Sequence, residues 1–305
     1  MPVSPKPNVH IAPLDNSVVF KKLFSDPDVL REFVKDLLGL DLQITASQIE
    51  TEKKFTPPVG NVDIAYDIFV DDPKNRIIIE IQRVRYPDHY DRFFYYFLVA
   101  IIELIKSYQS YHMKRTVYTI VWLTRKVQDK KFQECILTNQ FETKNTQDEI
   151  VKIYPHKLIF LNPNYVDKNT PKGVADWMNL VLESLNNPIN PELNYEREIF
   201  HKATDIIADE GINPTELAEI INETVYEQYV RSNWEKGRQE GIEEGIELGQ
   251  VQLLHRLLFS QLAQKFTDIP EHILAQIEQT NNVMLLEMWL TQIASANSWQ
   301  ELFEE

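Results

Sequence analysis

The 305-residue chain contains one cysteine, Cys135, and no apolar run long enough to cross a bilayer. A single cysteine excludes an internal disulfide and a zinc site built from several cysteines. The N-terminal residues 1–7 include three prolines and lack the apolar stretch of a secretory signal. These absences predict a protein of the reducing cytoplasm without a membrane-embedded part.

Positive charge is also scarce, with 31 Lys and Arg against 46 Asp and Glu and a net charge of −15. The deficit is uneven, because residues 1–130 hold 18 basic against 17 acidic side chains and the remainder holds 13 against 29. The near-neutral N-terminal part permits contact with phosphate groups, although the same counts fit an ordinary mixed-charge surface. Its basic side chains include Lys21, Lys22, Arg83, Arg85, Arg92, Lys114, Arg115, Arg125 and Lys126.

Residues 62–82 have the pattern of a β-hairpin. Two strand-like runs, 62–70 and 76–82, flank a polar turn that contains Pro73. Strict alternation in the first run predicts one apolar face and one face that carries acidic side chains. The apolar face comprises Val62, Ile64, Tyr66, Ile68 and Val70, and the other face comprises Asp63, Ala65, Asp67 and Phe69.

A group of polar side chains on this hairpin is the candidate site. A register with Asp63 opposite Gln82 makes Glu80 a diagonal neighbour of Asp63 on the same face. Carboxylates among isoleucines are costly to bury, and a divalent cation with oxygen ligands would explain them. The alternative is the solvated face of an amphipathic hairpin. Glu80 interrupts a run of four isoleucines that otherwise has the pattern of a buried central strand, which favours the cation site.

The order of elements predicts an α/β fold with one mixed sheet and helices packed on it. Helical spacing occurs near residues 17–38 and 88–111, and further strands are predicted at 116–123, at 157–161 and, more weakly, within 42–56. We expect four parts, namely an extended arm at 1–14, the α/β domain at 15–200, a helical region at 201–250 and a helical subdomain at 251–305.

Four of the eight glycines recur at four-residue spacing, at Gly237, Gly241, Gly245 and Gly249. In an isolated helix they would cost about 4 kcal/mol relative to alanine, so a helix here needs a compensating contact. Glycines at this spacing let another helix approach closely, and intervening glutamates exclude a membrane setting. We predict contact between two copies of the chain, with a flexible acidic linker as the alternative.

The order Asp63, then Glu80-Ile81-Gln82, resembles the PD-(D/E)xK nuclease superfamily and, within it, the recombination-promoting nuclease (Rpn) family, whose members are described as transposases. Further similarities are Asp15 followed by the 20–24 segment FKKLF, the 92–96 segment RFFYY, and the glycine repeat with its helical tail. The resemblance implies a restriction-endonuclease-like mixed sheet flanked by helices, followed by a long glycine-repeat helix and a small helical C-terminal subdomain.

The resemblance also implies an Mg²⁺-dependent endodeoxyribonuclease that hydrolyses DNA phosphodiester bonds, with Mn²⁺ or Ca²⁺ as alternative ions. Asp63, Glu80 and the backbone carbonyl of Ile81 would hold the ion. Gln82 stands where the superfamily usually has lysine; it can orient a water molecule but supplies no charge. The expected catalytic group is completed by Lys21, which could restore that charge, and by Asp15.

Lys22, Arg83, Arg85 and Arg92 are the expected DNA contacts. A link to recombination or mobile elements follows from the same resemblance. The alternative function is a catalytically weak or inactive nuclease-fold module that binds DNA or acts as an oligomeric scaffold for protein partners.

Overall fold

The computed structural model describes residues 10–55, 64–83, 89–106, 113–127 and 129–303. The chain divides into two compact units, Met1–Val225 and Tyr226–Glu305. The four-part division expected from the sequence remains a proposal.

Two capped helices open the first unit. Helix α1 (Ser17–Phe24) begins after Asn16, whose side chain accepts a hydrogen bond from the Val18 backbone N–H at 3.0 Å. Helix α2 (Pro27–Leu38) has Asp26 as its N-cap and ends at Gly39, which has a φ of 68°. An Asn or Asp cap and a left-handed glycine satisfy terminal backbone groups, so local sequence sets these helix ends.

A six-stranded mixed sheet forms the centre of this unit, in the order β1-β2-β3-β4-β8-β5. The β1–β2, β2–β3 and β5–β8 pairs are antiparallel, whereas β3–β4 and β4–β8 are parallel. Strands β6 and β7 form a separate small hairpin. The strands are β1 (Ile49–Phe55), β2 (Ile64–Asp71), β3 (Asn75–Gln82), β4 (Thr116–Leu123), β5 (Ile136–Gln140), β6 (Thr143–Lys144), β7 (Ile150–Val151) and β8 (Lys157–Leu161).

Helices cover both faces of the sheet. One core joins Ile77 and Ile79 of β3 to α1, α2, α4 (Lys172–Asn186) and α5 (Glu198–Ile207). The other core joins Ile78 of β3 to the aromatic helix α3 (His89–Lys106). Because β3 lies between two buried faces, its isoleucines need no polar alternation. The predicted mixed sheet with flanking helices is confirmed.

Helix α6 (Pro214–Lys265) contains the glycine repeat. The repeat is helical, so the flexible-linker alternative is wrong. In the second unit, residues of α6 pack with α7 (Glu271–Gln279), α8 (Val283–Gln292) and α9 (Gln300–Phe303). Leu258, Leu262, Ile277 and Leu286 are fully buried in this core. Among the described residues, no helix has the length and hydropathy needed to span a membrane.

Candidate active site

The turn between β2 and β3 fixes the register of the hairpin. The Asp72 Oδ1 atom accepts hydrogen bonds from the backbone N–H groups of Lys74 and Asn75, both at 2.6 Å. Asp71 and Arg76 then pair across the strands through two hydrogen bonds of 2.9 Å. A short turn closed in this way leaves one register available to the strands that it joins.

That register differs by two residues from the expected one. Ile68 lies opposite Ile79, and Asp71 lies opposite Arg76. The next position in the same register sets Asp67 opposite Glu80, because each is four residues away from the closing pair. Asp63 lies outside the described residues, and the carboxylate found beside Glu80 is that of Asp67.

Strand β2 changes faces at the same point. Ile64 and Tyr66 pack in the core under α3, whereas Ile68 and Val70 pack in the core under α1 and α2. The expectation that they share one face is therefore wrong. In β1, Glu52 has a φ of 53°, and the regular pairing with β2 passes from Thr51–Ile68 to Lys53–Tyr66. Between these two pairs, Glu52 of β1 lies opposite Asp67 of β2.

Side chains take over the β2–β3 pairing where the regular ladder ends. The Ile81 N–H donates to Asp67 Oδ2 at 2.9 Å, and the Asp67 N–H donates to Glu80 Oε1 at 3.2 Å. Asp67 Oδ1 and Glu80 Oε2 take part in neither bond. These reciprocal bonds hold two carboxylates side by side at the C-terminal end of β3.

Without a bound cation, both carboxyl groups lose their protons less readily than they would in water. Burial raises the pKa of Glu80 well above its ordinary value, and the negative charge of Asp67 raises it further. Burial also raises the pKa of Asp67, against the lowering effect of the Ile81 N–H. The positive charges of Lys21 and Arg92 lower both pKa values. Two adjacent carboxylates of this kind gain from a bound cation.

Gln82 lies on the α3 side of this pair and is only 7% exposed. Its Oε1 atom accepts a hydrogen bond of 2.5 Å from Arg92 Nη2 on α3. The Arg92 guanidinium also lies 4.7 Å from the ring centre of Phe93 and 5.7 Å from that of Tyr96. The aromatic helix therefore places a permanent positive charge against the neutral amide.

The two lysines of α1 have different neighbours. Lys21 forms an ion pair of 2.6 Å with Glu52, and its side chain is 18% exposed. Lys22 pairs with Glu216 of α6 at 2.6 Å and donates to the Gly211 carbonyl at 2.6 Å. Lys21 thus contributes positive charge near the carboxylates, while Lys22 ties α1 to the start of α6.

Asp15 lies beside two arginines at the ends of β3 and β4. Its carboxylate is 4% exposed and forms ion pairs with Arg83 at 3.1 Å and with Arg125 at 3.5 Å. The Arg125 side chain is 48% exposed, so it combines a buried anchor with a solvent-facing guanidinium. Arg85, the other arginine expected here, lies outside the described residues.

A hard divalent cation suits the donors at the end of β3. Asp67 and Glu80 offer carboxylate oxygens, and a cation between them would relieve the repulsion that raises the pKa of Glu80. Within the described ranges, no group of three or more His, Cys, Asp and Glu side chains has the arrangement of a metal cluster. Among these described residues, backbone carbonyl groups and water are the remaining ligands that could complete a site on the two carboxylates.

Sequence reasoning did not assign three residues to the site, namely Asp67, Glu52 and Arg125, although Arg125 was counted among the basic side chains. For Asp67 a signal was present, since a hairpin pairs positions that are equidistant from its turn. Glu52 and Arg125 had no comparable signal, because each reaches the site through a strand pairing or an ion pair between distant segments.

A mixed sheet flanked by helices, with adjacent acidic side chains at the end of a central strand, defines a PD-(D/E)xK-type nuclease fold. The family model for the PD-(D/E)XK nuclease family transposase matches residues 14–232. The chain belongs to this family, which confirms the expected relationship. No curated protein and no solved structure matches the chain.

Proposed function

We propose that the chain is a divalent-metal-dependent DNA endonuclease whose active site is centred on Asp67 and Glu80. The observation that carries this proposal is the pair of adjacent, desolvated carboxylates held by reciprocal hydrogen bonds to the backbone. Membership of a nuclease family supports the reaction class. A bound Mg²⁺ would activate water for attack on phosphorus and offset the charge that develops on the phosphate.

The ion would be held by Asp67 Oδ1, Glu80 Oε2 and the Ile81 carbonyl, with Mn²⁺ or Ca²⁺ as other candidates. Ile81 follows Glu80, and its N–H is already engaged by Asp67, so the backbone here is fixed relative to both carboxylates. Asp63 remains a predicted ligand, and its substitution separates its role from that of Asp67.

Phosphate groups of the DNA would contact Arg83 and Arg125. Asp15 holds both arginines beside the ends of β3 and β4, which pair in parallel, and Arg83 follows Glu80 closely along the chain. A buried carboxylate that anchors two guanidinium groups reduces the entropy lost when they bind a phosphate. In this role Asp15 positions the arginines and takes no part in the chemical step.

A supercoiled-plasmid assay tests the active site. Mg²⁺ should support nicking or linearisation, and EDTA should abolish it. Asp67→Asn and Glu80→Gln should each reduce the rate by at least about 100-fold, whereas Asp148→Asn on the exposed β6–β7 loop should leave it unchanged. Cleavage that survives both active-site substitutions would refute the site, and a loss only in Asp63→Asn would move it to Asp63.

A catalytically weak module that binds DNA is the second candidate function. It is favoured by Gln82, whose neutral amide stands where the superfamily usually has lysine. Wild-type protein that binds plasmid but fails to cleave it with Mg²⁺ or Mn²⁺ would support this function. A role in recombination or in mobile elements would apply to either form.

The glycine repeat of α6 is proposed to pair two copies of the chain. All four glycines face open space, since a Cβ added at any of them would meet no described atom within 4 Å beyond the neighbouring residues and backbone of its own helical turns. Ile242, Ile246 and Leu248 are exposed on the same stretch, at 44%, 57% and 58%. The four glycines lower the stability of the helix, and a close helix–helix contact would offset that loss. An acidic stretch with apolar and small residues therefore fits a second copy better than a nucleic acid.

A further inference from the structure

The proposed function leaves one question open, namely which side chain supplies the positive charge that the neutral Gln82 lacks. Gln82 carries no charge, yet hydrolysis of a phosphodiester requires positive charge near the attacked phosphorus. Lys21 supplies part of it, but its ammonium group is paired with Glu52 at 2.6 Å. A second source of charge would therefore act from the other face of the sheet, where α3 packs.

We propose that Arg92 is a positioning residue that supplies this charge through Gln82, so that the two side chains together replace the single lysine. Its hydrogen bond to Gln82 Oε1 orients the amide, with the NH₂ group as the opposite, donor end. The inference rests on the proposed nuclease function, and it assigns to Arg92 a role distinct from direct DNA contact.

The surroundings of Arg92 restrict the guanidinium to this place. Phe93 is fully buried, and the guanidinium lies over the rings of Phe93 and Tyr96. Arginine stays charged at all accessible pH values and stacks on aromatic rings, which lysine does less well. An arginine held against two aromatic rings thus gives a preorganised charge rather than a mobile surface cation.

The electrostatic effect of Arg92 reaches both proposed metal ligands. Its positive charge lowers the pKa of Asp67 and that of Glu80. The same charge must repel a divalent cation bound between these carboxylates. Arg92 therefore has opposite effects on two measurable steps, weakening cation binding while stabilising negative charge on the reacting phosphate.

These opposite effects distinguish an Arg92 that supplies charge from one that only supports the local structure. Arg92→Gln should bind Ca²⁺ or Mg²⁺ about tenfold more tightly by calorimetry, because a like charge has been removed. Its plasmid cleavage at saturating Mg²⁺ should fall about 100-fold. If Arg92 only held Gln82 and α3 in place, cation affinity and cleavage would fall together.

The double variant Gln82→Lys/Arg92→Gln provides the rescue. It returns a positive charge to the superfamily's usual position and should recover at least about tenfold of the lost rate. Arg92→Lys keeps the charge without the planar fork and should lie between wild type and Arg92→Gln. Arg256→Gln, an exposed arginine of α6, is the matched control, and circular dichroism verifies that each variant is folded.

Several results would overturn the proposal. Unchanged cleavage in Arg92→Gln, weaker cation binding in that variant, or no recovery in the double variant each contradicts it. Wild-type protein that neither binds the cation nor cleaves DNA overturns the proposed function and this inference with it. Active wild-type protein with an unaffected Arg92→Gln variant overturns the inference alone.

Discussion

Glu80 should destabilise the metal-free protein at neutral pH, and replacing it with glutamine should stabilise the fold. The side chain is 4% exposed, and in the metal-free protein its carboxylate accepts a hydrogen bond from the Asp67 backbone N–H. Glu80→Gln removes the buried charge and its repulsion by Asp67 but retains an oxygen that can accept from the Asp67 N–H. The expected effect follows from burial of one unpaired charge rather than from lost packing.

The expected gain in stability follows from the typical energy of relieving a buried charge. Relief of a partly compensated buried charge is worth about 1–2 kcal/mol. For a unit of this size, 1 kcal/mol shifts the melting temperature by about 2–4 °C. In EDTA at pH 8 we therefore expect Glu80→Gln to melt about 2–8 °C above wild type.

The pH dependence has a defined sign. Burial and Asp67 raise the folded-state pKa of Glu80 above its unfolded value. Between these two values the native state binds more protons than the unfolded state, so stability falls as the pH rises. The advantage of Glu80→Gln should vanish below the unfolded pKa, near pH 4, and should grow as the pH rises through the folded pKa.

Added Mg²⁺ should reverse the order of the two proteins. A ligand that binds only the native state at 100 times its dissociation constant adds about 2.7 kcal/mol, which exceeds the expected advantage of Glu80→Gln, and that variant lacks one of the proposed ligands. Differential scanning fluorimetry from pH 4 to 8, with EDTA or Mg²⁺, measures both effects, with the exposed Glu134→Gln as control. A variant that is less stable than wild type in EDTA at pH 8, or a difference independent of pH, would refute this reasoning.

Three further predictions concern other parts of the chain. Asp15→Asn should release Arg83 and Arg125 and weaken DNA binding by about tenfold, which fluorescence anisotropy over a salt series measures; an unchanged affinity contradicts the anchoring role. Gly241→Ala should raise helix stability by about 1 kcal/mol if this face is solvated, whereas Gly241→Leu should convert a dimer to a monomer in light scattering if a second copy packs there; a monomeric wild type excludes that contact. Asp72→Ala should cost about 1–3 kcal/mol in urea unfolding, because two backbone N–H groups of the turn lose their acceptor, and a neutral effect would show that the turn does not set the register.

Much of the fold could be predicted from local sequence. Asn16 and Asp26 cap α1 and α2, and Gly39 ends α2, because these residues satisfy terminal backbone groups within a few positions. The isoleucine run of β3 identified a strand buried on both faces, and the four-residue glycine spacing matched a helix. Short-range bonding and periodicity are properties that a sequence displays directly.

The residues of the site were only partly predictable, because long-range contacts rather than local ones bring them together. Glu80 and Gln82 were identified because an acidic and an amide side chain interrupt an apolar run. Asp67, by contrast, was passed over in favour of Asp63, since both occur on the polar positions of one strand. A shift of two residues preserves the alternation, so the pattern alone did not distinguish the two registers.

Tertiary structure decided which acidic residue accompanies Glu80 and which cations surround the pair. The left-handed backbone of Glu52 in β1 coincides with the change of faces at Asp67 in β2, and α1 and α3 bring Lys21 and Arg92 from opposite sides of the sheet. The sequence by itself determined the strand that carries Glu80 and the helices that cover it. The neighbours of Glu80 depend on contacts between segments far apart in the chain, whose free energy is set by register and packing rather than by local residue preference.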